Sequence, residues 1–219
     1  QQLIEAHIGQ FNANVINMLN TEFIYLDREA GIPALQLLHK SRDGELVYRN
    51  LANYGPAWIV KDVQVVPTPD AALAQLDSVN SFVIATVEAA HQDRLGSFSR
   101  DSVDLKNETI RLIRQSNREL VYEYNSDKAR FVTFSEIYYP KGWTATIDGK
   151  PAEIAQTNFV LRGLTVPAGK HTIRFYFEPT TVAQAVGYSR TGSLIFLLLV
   201  AGALALAYVQ ARRKPESAA

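Results

Sequence analysis

The sequence contains no cysteine. Disulfides and thiolate metal sites are therefore excluded. It also lacks net charge, with 22 Lys and Arg against 22 Asp and Glu. A neutral balance leaves no electrostatic footprint for nucleic acid, so no nucleic-acid partner is expected. No G-x-S-x-G, P-loop or GxGxxG motif is present. The four histidines, His7, His39, His91 and His171, show no metal-ligand spacing. No metal and no cofactor is therefore expected. Asn107-Glu-Thr109 matches a glycosylation acceptor by a common pattern, and Asp148-Gly149-Lys150 lacks the other ligands of a calcium loop. No repeat or low-complexity segment appears. The sequence begins at Gln1, has Met18 as its only methionine and shows no signal sequence.

What is present begins with one apolar run. Gly192 to Val209 reads GSLIFLLLVAGALALAYV and carries no charge. A run of about 18 or more such residues is long enough to cross a bilayer as one helix. Arg212, Arg213 and Lys214 follow it. Basic flanks mark the cytoplasmic side. The expectation is a transmembrane helix over 191–210, a cytoplasmic tail over 211–219, and an extracytoplasmic domain before them. A domain that needs export without its own signal is expected to be the tail of a longer chain, targeted by upstream membrane helices.

The rest reads as α+β. Leu3, Ile4, Ile8 and Phe11, then Val15, Ile16 and Leu19, recur at helical spacing, with Asn12 or Asn14 as a cap. Phe23–Leu26, Glu45–Leu51, Trp58–Val66 and 82–87 read as strands. Thr68-Pro-Asp70 opens a short helix. Residues 1–90 are expected to form a small mixed unit, and 91–102 a linker. From Val103 onward short strands alternate with turns: 109–115, 119–124, 130–136, 143–147, 158–164 and 171–178. Asp148-Gly149 is a strong hairpin signal. This regular spacing predicts an antiparallel β-sandwich over 103–180.

One cluster offers chemistry. Ser135-Glu-Ile-Tyr-Tyr-Pro-Lys-Gly-Trp143 gathers Glu136, Tyr138, Tyr139 and Trp143 around a turn, and Arg162 interrupts an apolar strand further on. Aromatic faces stack on sugar C–H surfaces, and polar tips bond hydroxyls. These five residues are candidate glycan or interface contacts. The plainer alternative makes the aromatics the core and edge of the sandwich. Arg162 is then solvated, or paired with a carboxylate such as Glu136. No residue reads as catalytic.

The stretch FSEIYYPKGWTATIDGKPAEIAQTNFVLRGLTVPAGKHTIRFYFEP resembles the C-terminal extracytoplasmic region of YfhO-type bacterial membrane proteins. The shared pattern is Ser-Glu, tyrosines, Pro-Lys-Gly-Trp, Ile-Asp-Gly, a lone arginine at Arg162, Pro-Ala-Gly-Lys-His and a closing Phe-Glu-Pro. Val15–Asn20 and Tyr54–Trp58 look similar too, although Gly55-Pro56-Ala57 stands where Gly-Asn-Ala is expected. The resemblance implies a GT-C-like glycosyltransferase, a polytopic enzyme using lipid-linked sugars and, in some Gram-positive bacteria, glycosylating teichoic polymers. Its catalytic carboxylate belongs to early membrane loops, so no catalytic residue carries over to this sequence. The implied partners are the lipid bilayer, upstream membrane helices of the same protein, a polyprenyl-phosphate sugar and an envelope glycopolymer. The rivals are a non-catalytic membrane-anchored carbohydrate-binding module and a structural domain of envelope assembly.

Overall fold

The computed structural model describes residues 8–9 and 11–213. Leu3 and Ile4 of the expected first helix, and residues 214–219 of the expected tail, lie outside the described residues. The chain divides into two compact units, Gln1–Phe177 and Glu178–Ala219.

Helix α1 (Ala13–Met18) in the first unit is capped by Asn12, whose Oδ1 accepts from the Val15 N–H at 3.1 Å. Strands β1 (Phe23–Leu26), β2 (Leu35–Lys40) and β3 (Leu46–Asn50) form a three-stranded antiparallel sheet in the order β1-β3-β2. The sequence reading passed over β2. Its register shifts between Leu37 and His39, so apolar and polar residues do not alternate along it.

Strands β4 (Ala57–Val60) and β5 (Asp62–Val66) share the run read as a single strand. Helix α2 (Pro69–Gln75) then has Thr68 as its cap and Pro69 in its first turn. It crosses over to β6 (Ile84–Glu88), which pairs parallel to β5. A 3-10 helix (Ala89–Arg94) follows.

The remaining strands are β7 (Thr109–Gln115), β8 (Glu119–Ser126), β9 (Arg130–Ile137), β10 (Trp143–Ile147), β11 (Lys150–Ala152), β12 (Ala155–Thr157), β13 (Leu161–Val166) and β14 (Gly169–Phe177). One sheet runs β11-β10-β14-β8-β7 and the other β4-β9-β13-β12-β6-β5. In the second sheet β4 and β5 lie at opposite edges, yet only Lys61 separates them in the chain. That sheet therefore curls until its two edges meet at Lys61, whose N–H donates to the Val83 carbonyl at 2.9 Å.

Two cores result. Trp58, Val60 and Phe131 point inside the curl, against Val15, Met18 and Leu76 from the two helices. Ala57, Ile59, Val132 and Phe134 point the other way, against Tyr122, Ile173 and Phe175 of the five-stranded sheet. Strands buried on both faces read as continuous apolar runs, which is the character of β4, while β9 is buried from Arg130 to Phe134 with Arg130 and Thr133 among its apolar residues. Gly163 sits at the crowded centre. A Cβ there would come within 2.7 Å of Phe131 Cε1.

This architecture places the chain's division after Phe177, and not at the linker expected over 91–102. Strands 57–88 and 130–166 share one sheet, and Leu95 of the expected linker is buried in the first core. The sandwich is thus built with strands from both halves of the sequence. The Asp148-Gly149 turn forms as expected. Both residues have positive φ, 51° and 78°, and Ile147 pairs with Lys150. His171 clasps this turn, with Nδ1 2.6 Å from Asp148 Oδ2.

A buried ion pair pins one end of β9. Arg130 is fully buried and meets Glu108 through Nε–Oε2 at 2.6 Å and Nη2–Oε1 at 2.5 Å. It also donates to the carbonyls of Ser99, Asp101 and Ser102. Burial pushes the Glu108 carboxyl up. The bonds from Arg130, the Asp104 N–H and the Ser126 hydroxyl outweigh it and hold the group at about 2.

The second unit contains helix α3 (Thr180–Arg213). Its span Thr191–Val209 has 19 residues, a mean hydropathy of 2.4 and no buried share. At 1.5 Å per residue it covers about 28 Å, close to the hydrocarbon thickness of a bilayer.

Candidate functional site

The residues singled out in sequence converge at the end of the sandwich remote from the Arg130 pair. The cause is a register shift between β9 and β13. Leu161 pairs with Ile137, but Arg162 pairs with Phe134, so Ser135 and Glu136 bulge out of the ladder. Ser135 uses the bulge structurally, its hydroxyl lying 2.8 Å from the carbonyl oxygens of both Met18 and Gly55, between which its one proton is shared. Beyond the bulge the chain carries Tyr138 and Tyr139 outward and turns at Gly142, whose φ is 111°. It re-enters as β10, with Trp143 opposite Phe177 of β14 and their rings 5.3 Å apart.

The result is a cleft of about 620 Å³. Tyr138, Tyr139, Trp143 and Tyr176 supply its aromatic lining, and Arg94, Arg162, Asp93 and Glu153 its charge. Tyr139 is 49% exposed, whereas Tyr138, Trp143 and Tyr176 are half-buried. Arg94 Nη1 donates to the Tyr138 hydroxyl at 3.0 Å and to the Ile154 carbonyl at 2.9 Å. Because that phenol oxygen accepts from Arg94, its own proton remains available to a ligand.

Arg162 lies at the base. It is 3% exposed, with its guanidinium carbon 4.2 Å from the Trp143 ring centre and 5.5 Å from that of Phe175. Cation–π contact of this kind fixes the indole. Nε donates to the Ile137 carbonyl at 3.0 Å, and Nη1 has no hydrogen-bond partner. Burial lowers the guanidinium's pKa, while Glu136 and Tyr122 act to raise it. Glu136 is half-buried on β9 and does not line the cleft. Burial pushes its carboxyl up, with Arg162 opposing. Among the described ion pairs within 4.0 Å, none joins Glu136 to Arg162. The Tyr122 hydroxyl nearby is also buried and unpartnered.

Four of the five residues named from sequence thus share one cleft: Tyr138, Tyr139, Trp143 and Arg162. Glu136 stands behind it. Sequence reasoning missed Arg94 and Tyr176. Tyr176 follows the alternation of β14, which the sequence does show, but Arg94 sits in the segment read as a linker and has no local signal. Among the described residues no group of three or more His, Asp or Glu could hold a metal ion. The cleft can stack a ring, accept hydroxyl protons at Asp93 and Glu153, and donate from two guanidinium groups.

After the β-sandwich unit the chain carries one helix long and apolar enough to cross a membrane. The family model described as bacterial membrane protein YfhO matches residues 91–187. That region covers the cleft and the start of α3, whereas Val15–Asn20 and Tyr54–Trp58 lie before it. Neither the curated proteins nor the solved structures contain a match to this chain.

Proposed function

We propose that this chain is the C-terminal extracytoplasmic region of a polytopic membrane glycosyltransferase. The enzyme transfers sugar from a lipid-linked donor to a cell-envelope acceptor, and the cleft contacts glycan on the acceptor side. The observation that carries this reading is the aromatic cleft, with its two arginines, inside the region that the YfhO family model matches. The reading has the C-terminus in the cytoplasm and the sandwich outside, and the basic flank Arg212, Arg213 and Lys214 supports it. In this reading the transfer chemistry belongs to membrane helices elsewhere in the protein.

The test is made in cells carrying the complete gene. Trp143→Phe should leave the protein level unchanged and reduce the sugar content of the envelope polymer. Unchanged polymer glycosylation in both Trp143→Phe and Tyr139→Ala cells would overturn the role given to the cleft. A second reading, a non-catalytic carbohydrate-binding module on a membrane anchor, draws on the same cleft. It predicts that gene deletion leaves polymer glycosylation intact while removing a protein that co-purifies with the polymer.

A further inference from the structure

Arg162 is an odd residue to bury. A guanidinium has five N–H donors and no means of losing its charge in a protein. Here only Nε has a hydrogen-bond acceptor among the described residues, Nη1 has none, and no ion pair is formed. Leaving such a group unsatisfied is costly. Glu136, behind it, compensates only partly, because burial favours the neutral form of its carboxyl. Arg94, on the wall of the same cleft, also has no ion-pair partner among the described residues. Two cations, neither neutralised within 4.0 Å, therefore face one aromatic-lined cleft.

We propose that the cleft binds a saccharide carrying an oxyanion, a carboxylate or a phosphate, with the sugar ring on the aromatic wall and the oxyanion on Arg162. The inference rests on the glycan reading given above and adds the charge of the ligand. Asp93 and Glu153 at the cleft repel an anion placed beside them but accept bonds from hydroxyls. They orient the charged end toward the base, where Arg162 is. Trp143 lies across the Arg162 guanidinium, whose Nη1 is buried and has no hydrogen-bond partner. Engagement of Nη1 therefore requires a swing of the half-buried indole. The proposal thus couples ligand charge to the position of Trp143.

That coupling supplies the readout. The sequence has two tryptophans, and the other, Trp58, is 3% exposed in the first core, so a fluorescence change on ligand addition reports Trp143. The 1–219 chain in detergent micelles is titrated with glucose, glucuronate, glucose 6-phosphate and inorganic phosphate at constant ionic strength. A charge-assisted hydrogen bond in place of a neutral one predicts glucuronate or glucose 6-phosphate binding roughly tenfold to a hundredfold tighter than glucose. The stronger of the two acidic sugars identifies the oxyanion. Arg162→Met should abolish the preference for the acidic sugars over glucose. Arg94→Gln serves as a second variant and should reduce the preference.

Equal affinity for glucose and both acidic sugars would overturn the oxyanion inference and leave the glycan reading standing. Inorganic phosphate as strong as glucose 6-phosphate would reduce the site to a plain anion seat and overturn the saccharide. Absence of binding by any sugar would remove both the inference and the glycan reading beneath it.

Discussion

Arg130 and Arg162 stand at opposite ends of the same strand pair, β9 with β13, and both are buried. Arg130 spends all five of its donors on Glu108 and three backbone carbonyls. Arg162 spends Nε on one carbonyl, leaves Nη1 without a partner, and otherwise lies against aromatic rings. The same side chain on neighbouring strands is thus a closed knot in one place and an open valence in the other. A saturated buried charge holds its surroundings together. An unsaturated one beside a cleft is the observation on which the proposed oxyanion seat rests.

The sharpest test replaces each arginine by methionine, which packs adaptably against aromatic rings. Arg130→Met strands the Glu108 carboxylate in the interior, and breaking a buried pair in this way costs about 3–5 kcal/mol. Arg162→Met removes an unpaired charge and fills the space beside Phe175, so stability should change by less than about 1 kcal/mol. Urea unfolding of the two variants, followed by circular dichroism, measures both. A loss above about 3 kcal/mol for Arg162→Met would erase the distinction and make Arg162 a structural residue like Arg130.

Acid sharpens the comparison from the other side. The Glu108 carboxyl is depressed from 4.5 to about 2 in the folded protein. A group with a depressed folded pKa stabilises above its unfolded value and loses that contribution as pH falls through the folded value. The window therefore runs from about 4.5 down to about 2 and is worth roughly 3 kcal/mol. Glu136 is shifted in the opposite direction by burial, so it is protonated more readily in the folded state and contributes no loss in this window. Stability measured from pH 6 to pH 2 should fall steeply, and the fall should flatten in Glu108→Gln. The same flattening in Glu136→Gln would show that the cleft end, not the knot, governs acid unfolding.

How much of this was legible in the sequence divides along physical lines. The membrane-length helix, the Asp148-Gly149 turn, the cap at Asn12 and most strands of the sandwich follow from local pattern, and the structure has them. The cluster from Glu136 to Trp143 is local too, because eight consecutive positions leave and re-enter the sheet around one turn. Pairing across the chain was not legible. The run Trp58–Val66 gives no sign that its halves form opposite edges of a curled sheet, because a bend at one lysine leaves the apolar pattern intact. The same blindness divided the chain at residues 91–102, although Leu95 within that segment is a core residue. Arg162 was noticed as a charge in an apolar strand. Beside its place among the candidate ligand contacts, its expected structural fates were solvation or pairing with a carboxylate such as Glu136, but it is buried without an ion pair, because the β9 bulge offers it the Ile137 carbonyl and Trp143 offers it a ring.

The smallest expected effect on stability belongs to Tyr139, and it separates binding from folding most cleanly. Tyr139 lines the cleft from its rim and is 49% exposed. It belongs to neither core cluster, and none of the described hydrogen bonds uses its hydroxyl. Truncating such a side chain should therefore alter stability by no more than about 0.5 kcal/mol. A stacking face contributes more than that to a sugar ring, since aromatic contact is worth about 0.5–1.5 kcal/mol beyond the area it buries. Tyr139→Ala should thus melt with the parent protein and bind glucuronate several-fold more weakly. Trp143→Ala is the less informative variant, because the indole packs on Phe177 and Arg162 and its loss mixes stability with affinity. If Tyr139→Ala lowers the melting temperature and leaves sugar affinity untouched, the tyrosine belongs to the sandwich edge. The cleft end would then be, like the Arg130 end, a feature of folding alone.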